Sequence, residues 1–216
     1  MTRISRNRTL AIDSATEACS MALFENDEIV AGDLRILGRG HAEALVPMIA
    51  ELPDRGRADR ILVGLGPGSF TGLRIGLAAA RALGLAWNCS VLGFPTLALV
   101  ALTGRGLAGS GSEAGQALVA TTAGHGEWFC QSFDAAGLPA SALATLAPDV
   151  ASRRTGELVL GSQAEALVEQ RGHGTAISCW PDTRFAVRLP QSLLRPDLAP
   201  IYGRAPDARL PGESRA

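Results

Sequence analysis

The sequence predicts an α/β protein of two related lobes. Three observations carry this. Short apolar strands alternate with helical repeats in the order β-β-β-α-β-α-β over the first hundred residues. A Gly/Ser/Ala-rich stretch at 104–116 then breaks the pattern. After it comes a shorter echo of the same order. We therefore expect a first lobe over 1–103, a linker over 104–116, and a smaller second lobe over 117–216 that ends in an extended tail.

The first lobe opens with RTLAI (8–12), a short apolar strand, then a polar turn at Asp13, Ser14 and Thr16. ACSMALF (18–24) returns, Asn26-Asp27 supplies a hairpin turn, and 28–36 reads as a third strand. From His41 to Leu52, Ala44, Leu45, Met48, Ile49 and Leu52 recur at helical spacing. Pro47 interrupts that run, predicting a kink or a late helix start. ILVGL (61–65) is a continuous apolar run of the kind found in buried strands. GPGSFTG (66–72) is a tight loop, 72–87 a second helix, 91–94 a strand and 96–102 a short helix. In the second lobe, 117–121 and 127–133 form a hairpin, 157–161 a buried strand and 162–171 a helix. The tail from Pro190 is rich in Pro and Arg and reads as extended over the surface.

Composition narrows the function. The chain has 216 residues and a formal net charge of -1, which gives no electrostatic footprint for non-specific nucleic-acid binding. Every basic residue is Arg, so a Walker A lysine, a Schiff-base lysine and a Ser-Lys dyad are excluded. Cys19, Cys89, Cys130 and Cys179 form no C-x-x-C pair, which argues against a local zinc site. The N-terminus lacks an apolar signal region, and the longest apolar stretch, 75–87, contains Arg81 and is too short to span a bilayer. A soluble cytoplasmic protein with reduced thiols is the expectation.

Two places could carry function. In ILVGLGPGSFTGLRIG (61–76) a buried strand runs through a glycine-rich loop into a helix, a layout that can present N–H groups to a phosphate. No phosphate motif is complete: there is no Lys, Thr71 replaces the last glycine of G-x-G-x-x-G, and Pro67 breaks G-x-S-x-G. A tight turn needing unusual φ angles at Gly66 and Gly68 is the preferred reading, and a vestigial nucleotide site at Asp13, Ser14, Gly66 and Gly68 the alternative. Asp13 could hold a hydrated metal or simply cap its turn. The second place is the following helix. Gly72, Gly76, Ala80 and Gly84 recur every four residues, a small-residue ridge that lets another helix approach closely. Arg74 and Arg81 share one face beside Ile75. A neighbour within the chain and a second subunit both satisfy the pattern; docking of another subunit on one side is favoured. His41 lacks a second His at position 45, so it reads as an ordinary first-turn residue, with Glu43 favourable to the helix dipole. His125 and His173 read as solvated.

LAIDSATEACSMAL, GHAEALVPMIAEL and ILVGLGPGSFTGLRIGLAAARALGLAW closely resemble the TsaB (YeaZ) family, and the closing APIYGRAPDARLP resembles its Tyr-x-Arg-x-Pro-x-Ala pattern. The resemblance implies an actin/Hsp70/sugar-kinase-like (ASKHA) fold with two RNase-H-like lobes. It implies a non-catalytic scaffold for a TsaD-like catalytic subunit in N6-threonylcarbamoylation of adenosine 37 in tRNAs reading ANN codons. It also implies a TsaE-like ATPase as a further partner and tRNA met indirectly, with no membrane involved; for the chain alone, homodimer and monomer are both open. ATP and metal belong to the partner subunits, and no cofactor or metal is assigned to this chain. In the TsaD family a His-x-x-x-His pair in the early helix binds metal; here the second position is Leu45. The implied interface is made by helices 41–52 and 72–87, with His41, Glu43, Leu45, Met48, Gly72, Arg74, Ile75, Gly76, Ala80 and Arg81. Where many members carry Asp-Ala-Arg, this chain reads Thr122-Ala123-Gly124, and Glu127 and an aromatic follow. An ATP-hydrolysing or peptidase-like enzyme of the same fold is the alternative function.

Overall fold

The computed structural model describes residues 7–109 and 115–203. Among the described residues, ten strands and five α-helices order as β1 (Arg8–Asp13), β2 (Ala18–Glu25), β3 (Glu28–Ile36), α1 (His41–Glu51), β4 (Arg60–Gly64), α2 (Phe70–Trp87), β5 (Ser90–Phe94), α3 (Thr96–Ala108), β6 (Ala117–Gly124), β7 (Glu127–Phe133), β8 (Ala144–Leu146), α4 (Pro148–Ala151), β9 (Leu158–Leu160), α5 (Ala164–Arg171) and β10 (Thr175–Ile177). Short 3-10 turns follow α1 and occupy Thr183–Arg188 and Gln191–Leu193.

Two five-stranded sheets carry the lobes. The first runs β3-β2-β1-β4-β5 and the second β8-β7-β6-β9-β10, the same order twice. In each, a meander of antiparallel strands continues into parallel strands beyond the opening strand. Strand period two sorts side chains between faces. Leu10 and Ile12 of β1 pack toward α1 and α2, whereas Ala11 faces α3. The layers are α1/α2, first sheet, α3, second sheet and α4/α5. Helix α3 is apolar almost all round, with Leu97 to Ala101 fully buried between the sheets. Phe24, Phe94, Phe129, Phe133 and Leu160 from both sheets close on it.

Several elements differ from the sequence-based expectation. Helix α1 begins at His41 and continues through Pro47, which sits on its exposed side. Helix α3 continues to Ala108, so residues 104–108 are helical rather than linker. Gly104 and Gly106 allow this, since an added Cβ would come within 2.7 Å of Leu160 and 2.4 Å of Phe185. Residues 110–114 of the expected linker lie outside the described residues. The short strands β8 and β10 escaped the pattern because three residues show no periodicity.

From Cys179 onward the chain returns to the first lobe. Thr183 meets Ser20 by hydroxyl and backbone N–H, and Trp180 Nε1 donates to Glu17 at 2.9 Å. Residues 194–203 form a strap. Arg195 pairs with Gly93 at the β5 edge, and Ile201 N–H donates to the Leu65 carbonyl at 2.7 Å. Gly203 O accepts from Thr145 Oγ1 of β8. The strap thus touches both sheets. The part of the closing pattern from Arg204 onward lies outside the described residues.

Candidate functional site

At the C-terminal end of β1, Asp13 is fully buried. Its Oδ1 accepts from Ala15 N–H at 2.9 Å and its Oδ2 from Thr96 Oγ1 at 2.8 Å. Thr96 Oγ1 in turn accepts from Gly66 N–H at 3.1 Å. Burial pushes the Asp13 carboxyl up to about 6, against the lowering effect of these bonds. The carboxylate therefore ties β1, the glycine-rich loop and the start of α3 into one knot. Ser14 Oγ donates to the Gly72 carbonyl, and Ser69 N–H donates to the Ala15 carbonyl. Gly66 has φ +89, and a Cβ on Gly68 would come within 1.9 Å of the Ala15 carbonyl oxygen. Of the two unusual φ angles the turn reading expects, Gly66 has one and Gly68 does not; Gly68 is needed instead for its close approach to Ala15, and the Gly66, Ser69 and Gly72 N–H groups are bonded within the chain. Of the residues of the alternative, vestigial nucleotide site (Asp13, Ser14, Gly66 and Gly68), the Asp13 carboxylate, the Ser14 hydroxyl and the Gly66 N–H are hydrogen-bonded within the chain.

The helix α2 corrects a second expectation. Ser69 caps it, accepting from Gly72 N–H. Its small-residue ridge faces inward. A Cβ on Gly72 would meet the Ser14 carbonyl oxygen at 2.2 Å, one on Gly76 the Ser14 hydroxyl at 2.5 Å, and one on Gly84 Val91 at 2.5 Å. Ala80 is buried in the cluster shared with the first sheet. The close neighbour is this chain's own β1–β2 turn and sheet. Leu45 and Met48 of α1 are likewise fully buried, and His41 is buried, its Nε2–H donating to the Thr16 carbonyl at 2.9 Å. These seven positions are buried within this chain's own fold. Glu43, Arg74 and Arg81 are exposed and Ile75 is half-buried.

The opposite face of α2 is the one left open. Thr71, Arg74, Ala78, Arg81, Ala82, Leu85 and Ala86 lie along it. Leu85 is 86% exposed, Phe70 53%, and Val46 on neighbouring α1 61%. Sequence reasoning missed Val46, Phe70 and Leu85. Their signal was present: they stand three or four residues from charged or small exposed positions, out of phase with the buried ridge. Tyr202 of the strap, 53% exposed, lies beside Phe70.

In the second lobe, Thr122 stands two residues before the end of β6, and Gln163 Nε2 donates to its hydroxyl at 2.8 Å. Ser162 lies beside them, its hydroxyl accepting from Thr122 N–H. This cluster is polar and uncharged, with Thr122 exposed and Ser162 and Gln163 half-buried. His125 occupies the hairpin tip and His173 is exposed beside Glu157. The cysteines are free, and burial pushes the Cys19 and Cys130 thiols up to about 11. Among the described residues no three His, Cys, Asp or Glu side chains gather as a metal site, and no helix is long and apolar enough to cross a membrane.

Comparison with known proteins bears on this geometry. The family model described as TsaD, tRNA N6-adenosine threonylcarbamoyltransferase, matches residues 35–169. The tRNA threonylcarbamoyladenosine biosynthesis protein TsaB of Escherichia coli is 40% identical over 99 residues, 44% of this chain and 42% of that protein. The alignment thus spans less than half of that relative. An uncharacterized protein of Mycobacterium tuberculosis is 32% identical across 93% of this chain and 98% of its own length. Among solved structures, YeaZ from Pseudomonas aeruginosa superposes with a TM-score of 0.68 at 26% identity, covering 85% of this chain and 90% of that one. The fold is the actin/Hsp70/sugar-kinase-like (ASKHA) arrangement of two RNase-H-like lobes. With its paired sheets, its inward-facing glycine ridge and these relatives, the chain belongs to the TsaB (YeaZ) family of tRNA threonylcarbamoyladenosine biosynthesis proteins.

Proposed function

We propose that the chain is a non-catalytic scaffold subunit that pairs with a TsaD-like catalytic subunit for N6-threonylcarbamoylation of adenosine 37 in tRNAs reading ANN codons. The observation that carries this is the open outer face of α2, where Phe70 and Leu85 stand exposed, with Val46 exposed on neighbouring α1. An apolar helix face of this kind gains by covering. The match to a TsaD family model supports a partner of related architecture, because helix pairs of like design dock readily. The strand-end carboxylate is engaged inside the fold, which favours a scaffold over a nucleotide-processing role. A TsaE-like ATPase joins the complex, tRNA is reached through the partners, the chain self-associates by the same face when alone, and the complex works in the cytoplasm.

The interface residues we propose are Glu43, Val46, Phe70, Arg74, Ile75, Ala78, Arg81, Ala82 and Leu85. Reconstitution of tRNA threonylcarbamoylation from the partner subunits, with this chain present or omitted, tests the role. Modification only in its presence, with none from this chain alone, is expected. Full modification without it overturns the scaffold function. An enzyme of the same fold is the alternative, and one P. aeruginosa structure is described as similar to the peptidase YeaZ. Turnover of ATP or a peptide by the isolated chain, lost in Asp13→Asn, would favour it.

A further inference from the structure

Arg74 lies on the open side of α2 with its guanidinium carbon 3.6 Å from the centroid of the Phe70 ring. Tyr202 also lies beside Phe70, its ring centroid 6.1 Å away and tilted by 33°. Both aromatics are half exposed. Among the described residues none gives Arg74 a carboxylate or a hydrogen bond. Arg81, one heptad on, donates to the Leu198 carbonyl of the strap at 3.3 Å. The sequence holds no acidic residue between Asp59 and Glu113, so the α2 face is cationic as well as apolar. Helix α1 is the reverse, carrying Glu43 and Glu51 and no Lys or Arg.

Tyr202 is positioned by the strap. Ile201 N–H is fixed to Leu65 and Gly203 O to Thr145, so the residue between them is anchored on both lobes. A guanidinium stacked flat on a ring keeps its edge N–H donors free for a carboxylate and loses little freedom on pairing. Aromatic and Arg side chains of this kind are the usual energetic centres of interfaces.

We infer that the Phe70–Arg74–Tyr202 cluster is the anchor of the pairing face, and that it receives a carboxylate from the first helix of a partner built like this chain. The inference rests on the proposed pairing through the outer α1–α2 face. A partner docking helix pair against helix pair brings its acidic first helix over the basic second helix here, by the charge pattern this chain itself carries. The strap is then part of the interface, although it lies more than a hundred residues from α2 in sequence.

Calorimetric titration of the TsaD-like subunit into the full chain, at low and high NaCl, tests it with three variants. Leu85→Arg reports on the face itself and is expected to abolish binding. Arg74→Gln is expected to weaken binding about tenfold at low salt and to flatten its salt dependence. Tyr202→Ala is expected to weaken it about fivefold at both salts, with Tm unchanged. If Leu85→Arg abolishes binding while Arg74→Gln and Tyr202→Ala bind as the wild type does, the anchor is overturned and the pairing face stands. If Arg74→Gln weakens binding but leaves the salt dependence intact, the carboxylate is overturned. Normal binding by all three removes both the anchor and the face.

Discussion

The two lobes share one strand order but are built to different depths. In the first, strands of five to nine residues carry two long helices on their outer side. In the second, three of the five strands have only three residues, and the outer helices shrink to four and eight. The ends of the opening strands differ in the same sense. Asp13 closes β1 as a buried, fully engaged carboxylate, whereas Thr122 near the end of β6 is exposed among hydroxyls and an amide. A shared topology thus fixes where a strand-end group stands, while the packing around it decides what that group can do. The first lobe uses its strand end to hold itself together and leaves a helix face open. The second contributes mainly the inner sheet that buries α3.

The largest expected effect breaks the first lobe. Gly72→Leu drives a side chain into the Ser14 carbonyl, which cannot move without displacing β1. A loss of roughly 4 kcal/mol or more is expected, read as the shift in urea midpoint or as failure to fold. A variant that folds normally but loses its partner would show instead that the ridge faces outward. Leu167→Ala, in the outer cluster of the second lobe, is expected to cost about 2–4 kcal/mol by the same measurement. If the small second lobe has its own separable stability, that variant will unfold in two steps rather than one.

Asp13→Asn sharpens the contrast between strand ends. The carboxyl titrates near 6 in the folded chain and near 3.8 when free. Between these values the folded chain keeps a proton that the unfolded chain has lost, so stability falls as pH rises from about 4 to about 6 and is flat above. The gap corresponds to roughly 3 kcal/mol. Asn keeps an acceptor for Ala15 N–H and presents an amide to Thr96 Oγ1, so the variant should lose this slope and be at least as stable at pH 7. Denaturant titrations at pH 4, 5, 6 and 7 check it; an unchanged slope would show that Asp13 is not the titrating group. The smallest effect is expected at the corresponding place in the second lobe. Thr122→Asp, at an exposed position, should alter stability by only about 0.5 kcal/mol, measured by the same unfolding curve.

Much of the first lobe was legible in residue pattern. Strand β1, the Asn26-Asp27 hairpin and the apolar run before GPGSFTG each carry a local signal that packing reinforces. The second lobe was less legible, since three-residue strands are held by neighbours rather than by their own sequence. His41 shows the limit at a single side chain. It reads as an ordinary first-turn residue, but it is buried and bonded to Thr16, 25 positions away.

By itself the sequence determined the α/β class, the twofold recurrence of elements, the absence of lysine chemistry, and the fact that Gly72, Gly76, Ala80 and Gly84 share one side of a helix. Only the tertiary structure decided which way that side turns. Helical spacing fixes the angle between side chains about their own axis, but the axis can be rotated against the sheet. That rotation was settled by Ser14, whose carbonyl fits only where a side chain is missing. With the glycines turned inward, Phe70, Arg74 and Leu85 had to turn outward, and the returning strap could set Tyr202 beside them.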